Sequence, residues 1–323
     1  MSPLLDIRDF CVDYVTPNGS VRALDRISLT LEPGEILGIA GESGSGKSTF
    51  AQALLRIAPP PAIITGGEVI FEGRDLLQLD DEALRALRWR EASLVFQSAM
   101  DVLNPVLTVG EQLSDIFSAH LQLSRSEELQ RARELMALVE LPETTLRSYA
   151  HQLSGGMRQR AVIALALALR PKLVILDEPT TALDVIVERE ILTRVLELRA
   201  KLGFSVIFIS HDLARMLELC DRVAIFYAGR IAELAPAEEL RQRPAHPYTQ
   251  RLLRAFPSLH GSSEGWGGIP GAPPSLASPP SGCRFHPRCD KAFADCSQRE
   301  PPLYRLNDRH SAACLLLENK PVI

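Results

Sequence analysis

The stretch from Gly41 to Thr49 is the feature that most constrains what this chain can fold into. It reads GESGSGKST and matches G-x-x-x-x-G-K-[ST], the pattern of a phosphate-binding loop. The apolar run from Ile36 to Ala40 precedes the loop and a helical pattern follows it, so the local order is strand, loop, helix. Glycines let successive N–H groups point at one anion, and the start of the helix adds unpaired N–H groups. The loop therefore predicts a phosphate site in an α/β fold.

Two side chains of this phosphate loop carry the chemistry that nucleotide binding needs. Lys47 supplies a cation for the β- and γ-phosphates, and Ser48 supplies a hydroxyl for Mg²⁺. The other residues of the loop that we expect to bind the nucleotide are Gly41, Ser43, Gly44, Ser45, Gly46 and Thr49.

Charge and hydropathy argue against several classes of protein. The 323 residues carry a net charge of −5, so the chain lacks the basic excess that is typical of nucleic-acid binding. Its longest apolar run, Ala161 to Leu169, is shorter than the roughly 20 residues that span a bilayer. The acidic start of the chain lacks an export pattern. We expect a cytosolic protein that reaches a membrane only through a partner, with cysteines that are thiols or metal ligands.

Two acidic side chains follow a strongly apolar strand. Leu173 to Leu176 is fully apolar, as expected for a strand that is covered on both faces of a parallel sheet, and Asp177 and Glu178 come directly after it. The carboxyl ends of parallel strands are where such sheets bind ligands. Asp177 would complete the Mg²⁺ shell opposite Ser48. Glu178 would accept a proton from an attacking water or orient it.

Several polar positions allow both a functional and a structural interpretation. Ser154-Gly155-Gly156 precedes a helical stretch predicted over Ala161 to Leu169, and it is either a second anion-binding helix start or an ordinary capped one. His211 follows another apolar strand and either faces the γ-phosphate or is a surface histidine. Tyr14 and Gln97 each end a predicted strand. Position alone favours sheet packing for Tyr14 and polar surface for Gln97.

The remaining patterns predict the secondary structure. Strand and helix patterns alternate from Asp6 to Leu234, as in an α/β phosphate-binding domain. Gly66-Gly67 is expected to flank a short strand at Val69 to Phe71. A further helix is expected from Ser126, as its cap, to Val139.

Together the motifs resemble the nucleotide-binding subunit of an ATP-binding-cassette (ABC) transporter. LSGGMRQR is the discriminating string, since other phosphate-loop ATPases lack it. The resemblance covers residues 4 to about 316 and implies an ATPase that binds ATP and Mg²⁺. The motifs that carry it are GESGSGKST, Gln97, LSGGMRQR at 153–160, LVILDEP at 173–179, TALD at 181–184, and His211.

The resemblance implies a role for each matching residue. Tyr14 matches the aromatic residue that stacks on adenine, and Gln97 matches the glutamine that senses Mg²⁺ and the membrane partner. Glu178 matches the catalytic carboxylate, and His211 matches the histidine that responds to the γ-phosphate. Lys47 would share in catalysis with them. Ser48, Gln97 and Asp177 would be the Mg²⁺ residues.

The resemblance also implies a domain organisation. Residues 1–257 would form an ABC ATPase domain, with a RecA-like core, a β-subdomain and a helical subdomain at about 98–160. Residues 258–323 would form a small C-terminal extension that is rich in cysteine.

A composite ATP site is the next implication. The family forms a head-to-tail sandwich of two cassettes, in which Ser154, Gly155 and Gly156 would complete the ATP site of the partner subunit. Asp184 belongs to the D-loop of the same family. The chain holds one copy of each motif, so it cannot close such a site alone.

Two segments narrow the resemblance to importers of oligopeptides, dipeptides and nickel. These segments are Leu103–Gln112 and His246–Thr249. Gln97-Ser98-Ala99 departs from the usual Gln-Asp-Pro, and Arg284 and Asp290 replace common prolines.

The subfamily implies partners and a location. The chain would sit at the cytoplasmic face of the bacterial inner membrane with a second, different ATPase subunit, two permease subunits and a substrate-binding protein. No nucleic-acid partner is expected. Peptides are the expected substrates, with nickel chelates, opines and other small solutes as alternatives.

Four cysteines follow a Gly/Ser/Pro-rich stretch at residues 258–282. They are Cys283, Cys289, Cys296 and Cys314, spaced C-x5-C-x6-C-x17-C. Four thiolates suit a [4Fe–4S] cluster or a tetrahedral Zn²⁺ ion, and four unligated cysteines are the remaining possibility. The resemblance to peptide importers favours the [4Fe–4S] cluster. Cys11 and Cys220 are expected to be small core residues.

Two functions of other classes compete with the transport ATPase. A non-transport cassette ATPase would act on DNA or ribosomes, but the stretch before LSGGM is too short for a long coiled coil and the chain has one cassette. A structural metal-binding subunit would carry a dead ATPase site. The intact Lys47, Asp177, Glu178 and His211 argue against it.

Overall fold

The computed structural model describes residues 2–96, 102–179, 184–255 and 268–318. The described residues belong to two compact units. Unit one comprises residues 1–31, 36–77 and 208–323, and unit two comprises residues 32–35 and 78–207. The phosphate loop and the C-terminal extension therefore share a unit. The assignment of residues 1–257 and 258–323 to separate domains stays a prediction.

Strands and helices alternate along most of the described chain, as the sequence patterns predict. In chain order they are β1 (Leu5–Thr16), β2 (Gly19–Leu31), β3 (Ile36–Ala40), α1 (Lys47–Leu54), β4 (Ala62–Phe71), β5 (Arg74–Asp75), α2 (Asp81–Leu87), β6 (Ala92–Val95), α3 (Val109–His120), α4 (Arg125–Leu138), α5 (Gly155–Ala166), β7 (Leu173–Asp177), α6 (Val185–Leu202), β8 (Ser205–Ile209), α7 (Leu213–Leu219), β9 (Arg222–Tyr227), β10 (Arg230–Pro236), α8 (Ala237–Gln242), α9 (Pro247–Ala255), β11 (Tyr304–Arg305) and β12 (Ser311–Ala312).

An antiparallel sheet in unit one has the strand order β2-β1-β4-β5. Phe10 and Phe71 are fully buried in it, each contributing about 1.5–3 kcal/mol of burial free energy. The prediction that Gly66-Gly67 flanks a short strand is wrong, because both glycines lie within β4. Gly67 has a φ of 94°, and a Cβ there would lie 2.6 Å from the carbonyl oxygen of Arg8. The glycines mark an irregular register of the β1–β4 pair.

A mixed sheet in unit one carries the phosphate loop at one end of β3. Within unit one its order is β11-β12-β10-β9-β3, with β3 and β9 parallel and β9 and β10 antiparallel. Every residue of β3 and β9 is buried, as expected for strands that are covered on both faces. The C-terminal extension adds its short strands to this sheet through β12, which pairs Ala312 with Glu233 and Ser311 with Leu234.

Unit two holds the helices α2 to α6 and a parallel pair of strands, β6 and β7. Ser124 caps α4 in a reciprocal capping box with Glu127, so the prediction of Ser126 as the cap is wrong. Ser154 caps α5 as predicted, and its side chain accepts a hydrogen bond from the N–H of Met157. The helix begins directly at Gly155, earlier than the expected Ala161.

A buried ionic cluster in unit one fixes the end of the extension. The carboxylate of Glu233 is fully buried and accepts hydrogen bonds from the N–H groups of Ala245, at 2.6 Å, and His246, at 2.9 Å. His310 lies 2.8 Å from Glu233 through Nε2 and 2.9 Å from Glu239 through Nδ1. Burial alone would lower the pKa of His310, but the two carboxylates outweigh burial and raise it.

The same cluster contains a histidine with the opposite behaviour. Burial lowers the pKa of His246 to about 4, and its Nδ1 accepts a hydrogen bond from the N–H of Tyr248. The raised pKa of His310 stabilises the folded state at pH values below about 6.5, the ordinary pKa of histidine. This stabilisation is lost as the pH rises through the pKa that His310 has in the folded state. The lowered pKa of His246 stabilises the folded state at pH values above about 6.5. This stabilisation is lost as the pH falls toward 4.

We therefore expect the melting temperature of the chain to fall by a few degrees as the pH rises above about 6.5, because His310 loses its proton in the folded state. His310→Gln should lower the melting temperature at about pH 6.5 and weaken the dependence of the melting temperature on pH. Differential scanning calorimetry across the range measures both effects. His151→Gln, which alters an exposed histidine in unit two, should keep the wild-type slope. Equal slopes in wild type and His310→Gln would contradict the assignment.

Candidate nucleotide-binding site

The phosphate loop joins β3 to α1 in unit one, as the sequence predicts. Lys47 opens α1 and is buried, and its ammonium donates hydrogen bonds to the carbonyl oxygens of Gly41, at 2.8 Å, and Glu42, at 3.0 Å. The cation therefore lies over the loop. A positive charge and the N-terminus of α1 at the same place suit a polyphosphate.

Two glycines of the loop are needed because main chain lies directly behind them. A Cβ at Gly41, where φ is 151°, would lie 2.2 Å from the carbonyl oxygen of Phe226. A Cβ at Gly46, where φ is 103°, would lie 2.8 Å from the carbonyl oxygen of Ala23. Ser45 accepts a main-chain hydrogen bond from Gly229 at 3.0 Å, which ties the loop to the turn between β9 and β10. The loop is thus held in shape by unit one itself.

One buried polar atom in the loop supports a ligand there. The hydroxyl of Ser45 is buried and has no hydrogen-bond partner among the residues that the structure describes. Buried polar atoms without a partner are rare in folded proteins, and a bound phosphate would supply an acceptor for this one.

Tyr14 lies beside the loop. It is half-buried on β1, and its hydroxyl is 3.1 Å from the hydroxyl of Thr49 in the first turn of α1. The ring is therefore held near the start of α1. Adenine stacking on Tyr14 stays a prediction.

The acidic pair is in unit two, at the end of β7. Asp177 is 1% exposed, so a charged carboxylate here needs a cation or donors around it. Glu178 is half-buried and has a φ of 45°, a conformation that costs a non-glycine residue about 1–3 kcal/mol. The catalytic role of Glu178 stays a prediction.

The LSGGM segment forms a helix start in unit two. Ser154 is exposed and caps α5, and a Cβ at Gly156 would lie 2.8 Å from the Val187 side chain, so α5 and α6 approach closely there. Asp184 caps α6 by accepting hydrogen bonds from the N–H groups of Ile186 and Val187. The trans-site and D-loop roles of these residues stay predictions.

Two predicted positions remain. His211 is exposed and follows β8 in unit one, where it is accessible to a ligand. Gln97 and the residues Thr181 to Leu183 of the TALD motif lie outside the described residues.

The four cysteines of the extension come into one neighbourhood, but not as a formed metal site. The pKa of Cys283 is raised to about 11, chiefly by burial and to a smaller extent by the neighbouring Cys314, Cys296 and Cys289. The pKa values of Cys289 and Cys314 are also raised, chiefly by burial. Within the described ranges, no three His, Cys, Asp or Glu side chains form a group that could hold a metal ion. The geometry therefore does not support the predicted [4Fe–4S] or zinc site.

The cysteines outside the extension behave as expected. Cys11 and Cys220 are buried, as predicted for small core residues, and all six cysteines are free thiols.

Sequence reasoning missed the contact between the extension and the phosphate loop. Arg288 binds the carboxylate of Glu42, the second residue of GESGSGKST. An acidic residue inside an anion-binding loop was the available signal, because such a carboxylate needs a nearby cation.

Comparisons with known protein families agree with this site. A model described as "ABC transporter" matches residues 24–181, and one described as "Oligopeptide/dipeptide transporter, C-terminal region" matches residues 232–296. The chain is 44% identical to a probable peptide ABC transporter ATP-binding protein of Sinorhizobium fredii, over 96% of this chain and 94% of that protein. It is 42% identical to an oligopeptide transport ATP-binding protein of Bacillus subtilis, over 97% of this chain and 89% of that protein.

Solved structures show the same fold. A dimeric ATP-binding cassette bound to ADP and phosphate after hydrolysis is 30% identical, with a TM-score of 0.64, over 72% of this chain and 98% of that one. An ABC transporter component from Clostridium perfringens is 26% identical, with a TM-score of 0.65, over 75% of this chain and 92% of that one.

We expect Gly41→Ala to weaken MgATP binding by at least about tenfold, because the new methyl group cannot fit against Phe226 without moving the loop. Isothermal titration calorimetry measures the affinity. Gly34→Ala is the matched control: φ is 74° there, but a Cβ meets no atom within 4 Å. Gly34→Ala should therefore have a strained backbone at the substituted residue and still bind MgATP with wild-type affinity. Equal losses in both variants would show that a general loss of stability, and not the close approach at Gly41, weakens MgATP binding.

Proposed function

Because this chain belongs to the ATP-binding subunits of ABC transporters, we propose that it hydrolyses ATP to power the import of oligopeptides or dipeptides. The observation that carries the proposal is the identity of 42–44% to peptide-transport subunits over nearly the whole chain. The match of residues 232–296 to the C-terminal region of peptide transporters supports the same class of substrate. Nickel chelates, opines and other small solutes remain the alternative cargo.

The proposed chemistry follows the motifs that the sequence carries. Lys47 and the N–H groups of the loop would bind the β- and γ-phosphates, with Tyr14 against the adenine. Ser48, Asp177 and Gln97 would hold Mg²⁺, which supplies charge neutralisation for the phosphates. The buried carboxylate of Asp177 and the orphaned hydroxyl of Ser45 fit such a charged ligand.

Hydrolysis would depend on two further side chains. Glu178 would orient the attacking water and accept its proton, and His211 would contact the γ-phosphate. Catalysis of this kind is mostly positioning and electrostatic stabilisation, since the protein supplies little covalent chemistry.

A second cassette is part of the proposal. The chain carries one LSGGM motif and one phosphate loop, and a solved relative is described as dimeric. Ser154, Gly155 and Gly156 would complete the partner's ATP site, with Asp184 in the adjacent D-loop. The partner cassette is proposed to be a different protein.

The proposed assembly lies at the cytoplasmic face of the bacterial inner membrane. Two permease subunits and a substrate-binding protein would complete it. No helix in the described part of the chain is long and apolar enough to cross a bilayer, and membrane contact is assigned to the permeases.

We also propose a metal centre in the extension, from the chemistry of its donors alone. The four cysteine thiols of the extension are the right number of donors for a [4Fe–4S] cluster, with Zn²⁺ as the alternative. Assembly would require the side chains to close around the metal and lose their protons.

The test of the transport function is Glu178→Gln in the complex purified with its partner cassette and permeases. We expect the variant to bind ATP but lose at least about 100-fold in peptide-stimulated hydrolysis, because the water loses its base. Phosphate release in proteoliposomes loaded with peptide-binding protein measures the rate, with the partner cassette's site disabled. Glu190→Gln, an exposed acid on α6, is the control and should remain active.

Two outcomes would contradict parts of this proposal. Full turnover in Glu178→Gln would remove Glu178 from the catalytic role. Purification without any membrane protein, or with nucleic-acid proteins, would remove the transport function and favour a non-transport cassette ATPase.

For the metal centre, we expect anaerobically purified protein to be brown and to contain about four irons and four sulfides per chain. Elemental and sulfide analysis measures both. Cys314→Ser should lose the iron, whereas Cys220→Ser, a buried cysteine outside the extension, should keep it. A colourless protein with one zinc per chain would replace the cluster by zinc, and a metal-free protein would leave four thiols.

A further inference from the structure

An ion pair between a buried arginine and a half-buried glutamate joins the C-terminal extension to the phosphate loop within unit one. Arg288 ends the 3-10 turn His286–Arg288, and its side chain is 6% exposed. Its Nη1 donates to Oε2 of Glu42 at 2.6 Å and its Nη2 donates to Oε1 at 2.9 Å. This two-pronged geometry fixes the orientation of a carboxylate as well as neutralising it.

The guanidinium of Arg288 is itself held by the extension. Its Nε donates to the carbonyl oxygen of Pro270 at 2.8 Å, and its Nη2 donates to that of Gly271 at 3.3 Å. Its Nη1 also donates to the hydroxyl of Tyr227 at 3.2 Å. The side chain therefore has little freedom to follow Glu42 if the loop moves.

The main chain of Glu42 is engaged as well. Its N–H donates to the hydroxyl of Tyr248 at 3.0 Å. Its carbonyl oxygen accepts hydrogen bonds from the Lys47 ammonium at 3.0 Å and from the N–H of Ser45 at 3.2 Å. Arg288 thus binds the side chain of Glu42, and the carbonyl oxygen of the same residue helps to orient Lys47.

Packed aromatic rings support both hydrogen-bonding tyrosines. The ring centroids of Tyr227 and Tyr248 are 4.5 Å apart, and each lies 5.3 Å from Phe285 of the extension. Tyr248 and Phe285 are fully buried. The extension therefore reaches the back of the loop through a rigid support, which a flexible tail would not provide.

The charge of Glu42 makes the pair matter for nucleotide binding. An unpaired carboxylate in the loop would repel the phosphates that the loop binds, and buried charges are tolerated only when they are paired. We propose that Arg288 is a positioning residue of the ATP site: through Glu42 it holds the phosphate loop in its binding conformation and cancels the loop's negative charge. The inference rests on the ATP-dependent function proposed above and assigns the extension a part in the ATP site of its own chain.

The first test compares two arginines of the extension in the full-length chain. Arg288→Ala should raise the MgATP dissociation constant at least about tenfold, measured by calorimetry, because Glu42 is left unpaired. Arg299→Ala is the control: Arg299 also belongs to the extension and is ion-paired, but its carboxylate partners are Asp295 and Glu318, outside the loop. The control should change the dissociation constant less than about threefold.

The second test is rescue by removal of the charge. Adding Glu42→Gln to Arg288→Ala should restore the dissociation constant to within about threefold of wild type, because no carboxylate remains to repel the phosphates. A loss of packing alone would not be rescued by this change. If Arg288→Ala does not give a cooperative melting transition, Arg288→Lys replaces it, since lysine keeps the charge but loses the two-pronged contact. That variant should bind MgATP more weakly than wild type.

The outcomes separate this inference from the proposed function. Wild-type affinity in Arg288→Ala or in its lysine replacement would overturn the inference, as would an equal loss in Arg299→Ala or a failure of Glu42→Gln to rescue. A wild-type chain with no measurable MgATP affinity would instead remove the ATP-dependent function on which the inference rests.

Discussion

The close approach of the phosphate loop to the main chain behind it is the constraint on which unit one depends. Gly41 faces the carbonyl of Phe226 on β9, and Gly46 faces the carbonyl of Ala23 on β2. Both contacts require the loop to lie where two different sheets place it. The pairing of β3 with β9, whose residues are all buried, fixes the point at which the loop leaves the mixed sheet. The inward direction of the loop's N–H groups therefore follows from the packing of the strands, before any anion arrives.

Much of the local structure could be predicted from the sequence, and the errors have physical causes. The apolar runs of β3 and β7 and the cap of α5 leave little choice of structure. The cap of α4 was misplaced because two serines stand near its start, and only Ser124 has a glutamate three residues later to complete a capping box. Gly66-Gly67 was taken for a turn because glycine pairs usually mark one, whereas here they allow β4 to pass close to β1.

In the candidate site, too, features that depend on neighbouring residues could be predicted, and contacts between residues far apart in the sequence could not. The loop, the acidic pair and Ser154 can be predicted because each belongs to a pattern of only a few consecutive residues. The partner of Glu42 does not, because Arg288 is 246 residues away and the chain has 35 lysines and arginines from which to choose. The cysteines show the same limit: their number suggests a class of ligand, but side-chain placement depends on packing around the extension. The strained backbone at Glu178 also has no sequence signature, since its neighbours in the chain are those of an ordinary strand end.

The pairing of β12 with β10 has a consequence for how the chain can be handled and how it could have evolved. β12 covers main-chain groups of β10 at Glu233 and Leu234 that would otherwise face outward along the strand. An uncovered strand edge is a template for pairing with other chains. A version shortened before Tyr304 would present that edge and leave the carboxylate of Glu233 without His310. We expect such a fragment to self-associate. Affinity tags and fusion partners should therefore follow the complete extension and not replace part of it. Selection for solubility would also act against gradual loss of the extension.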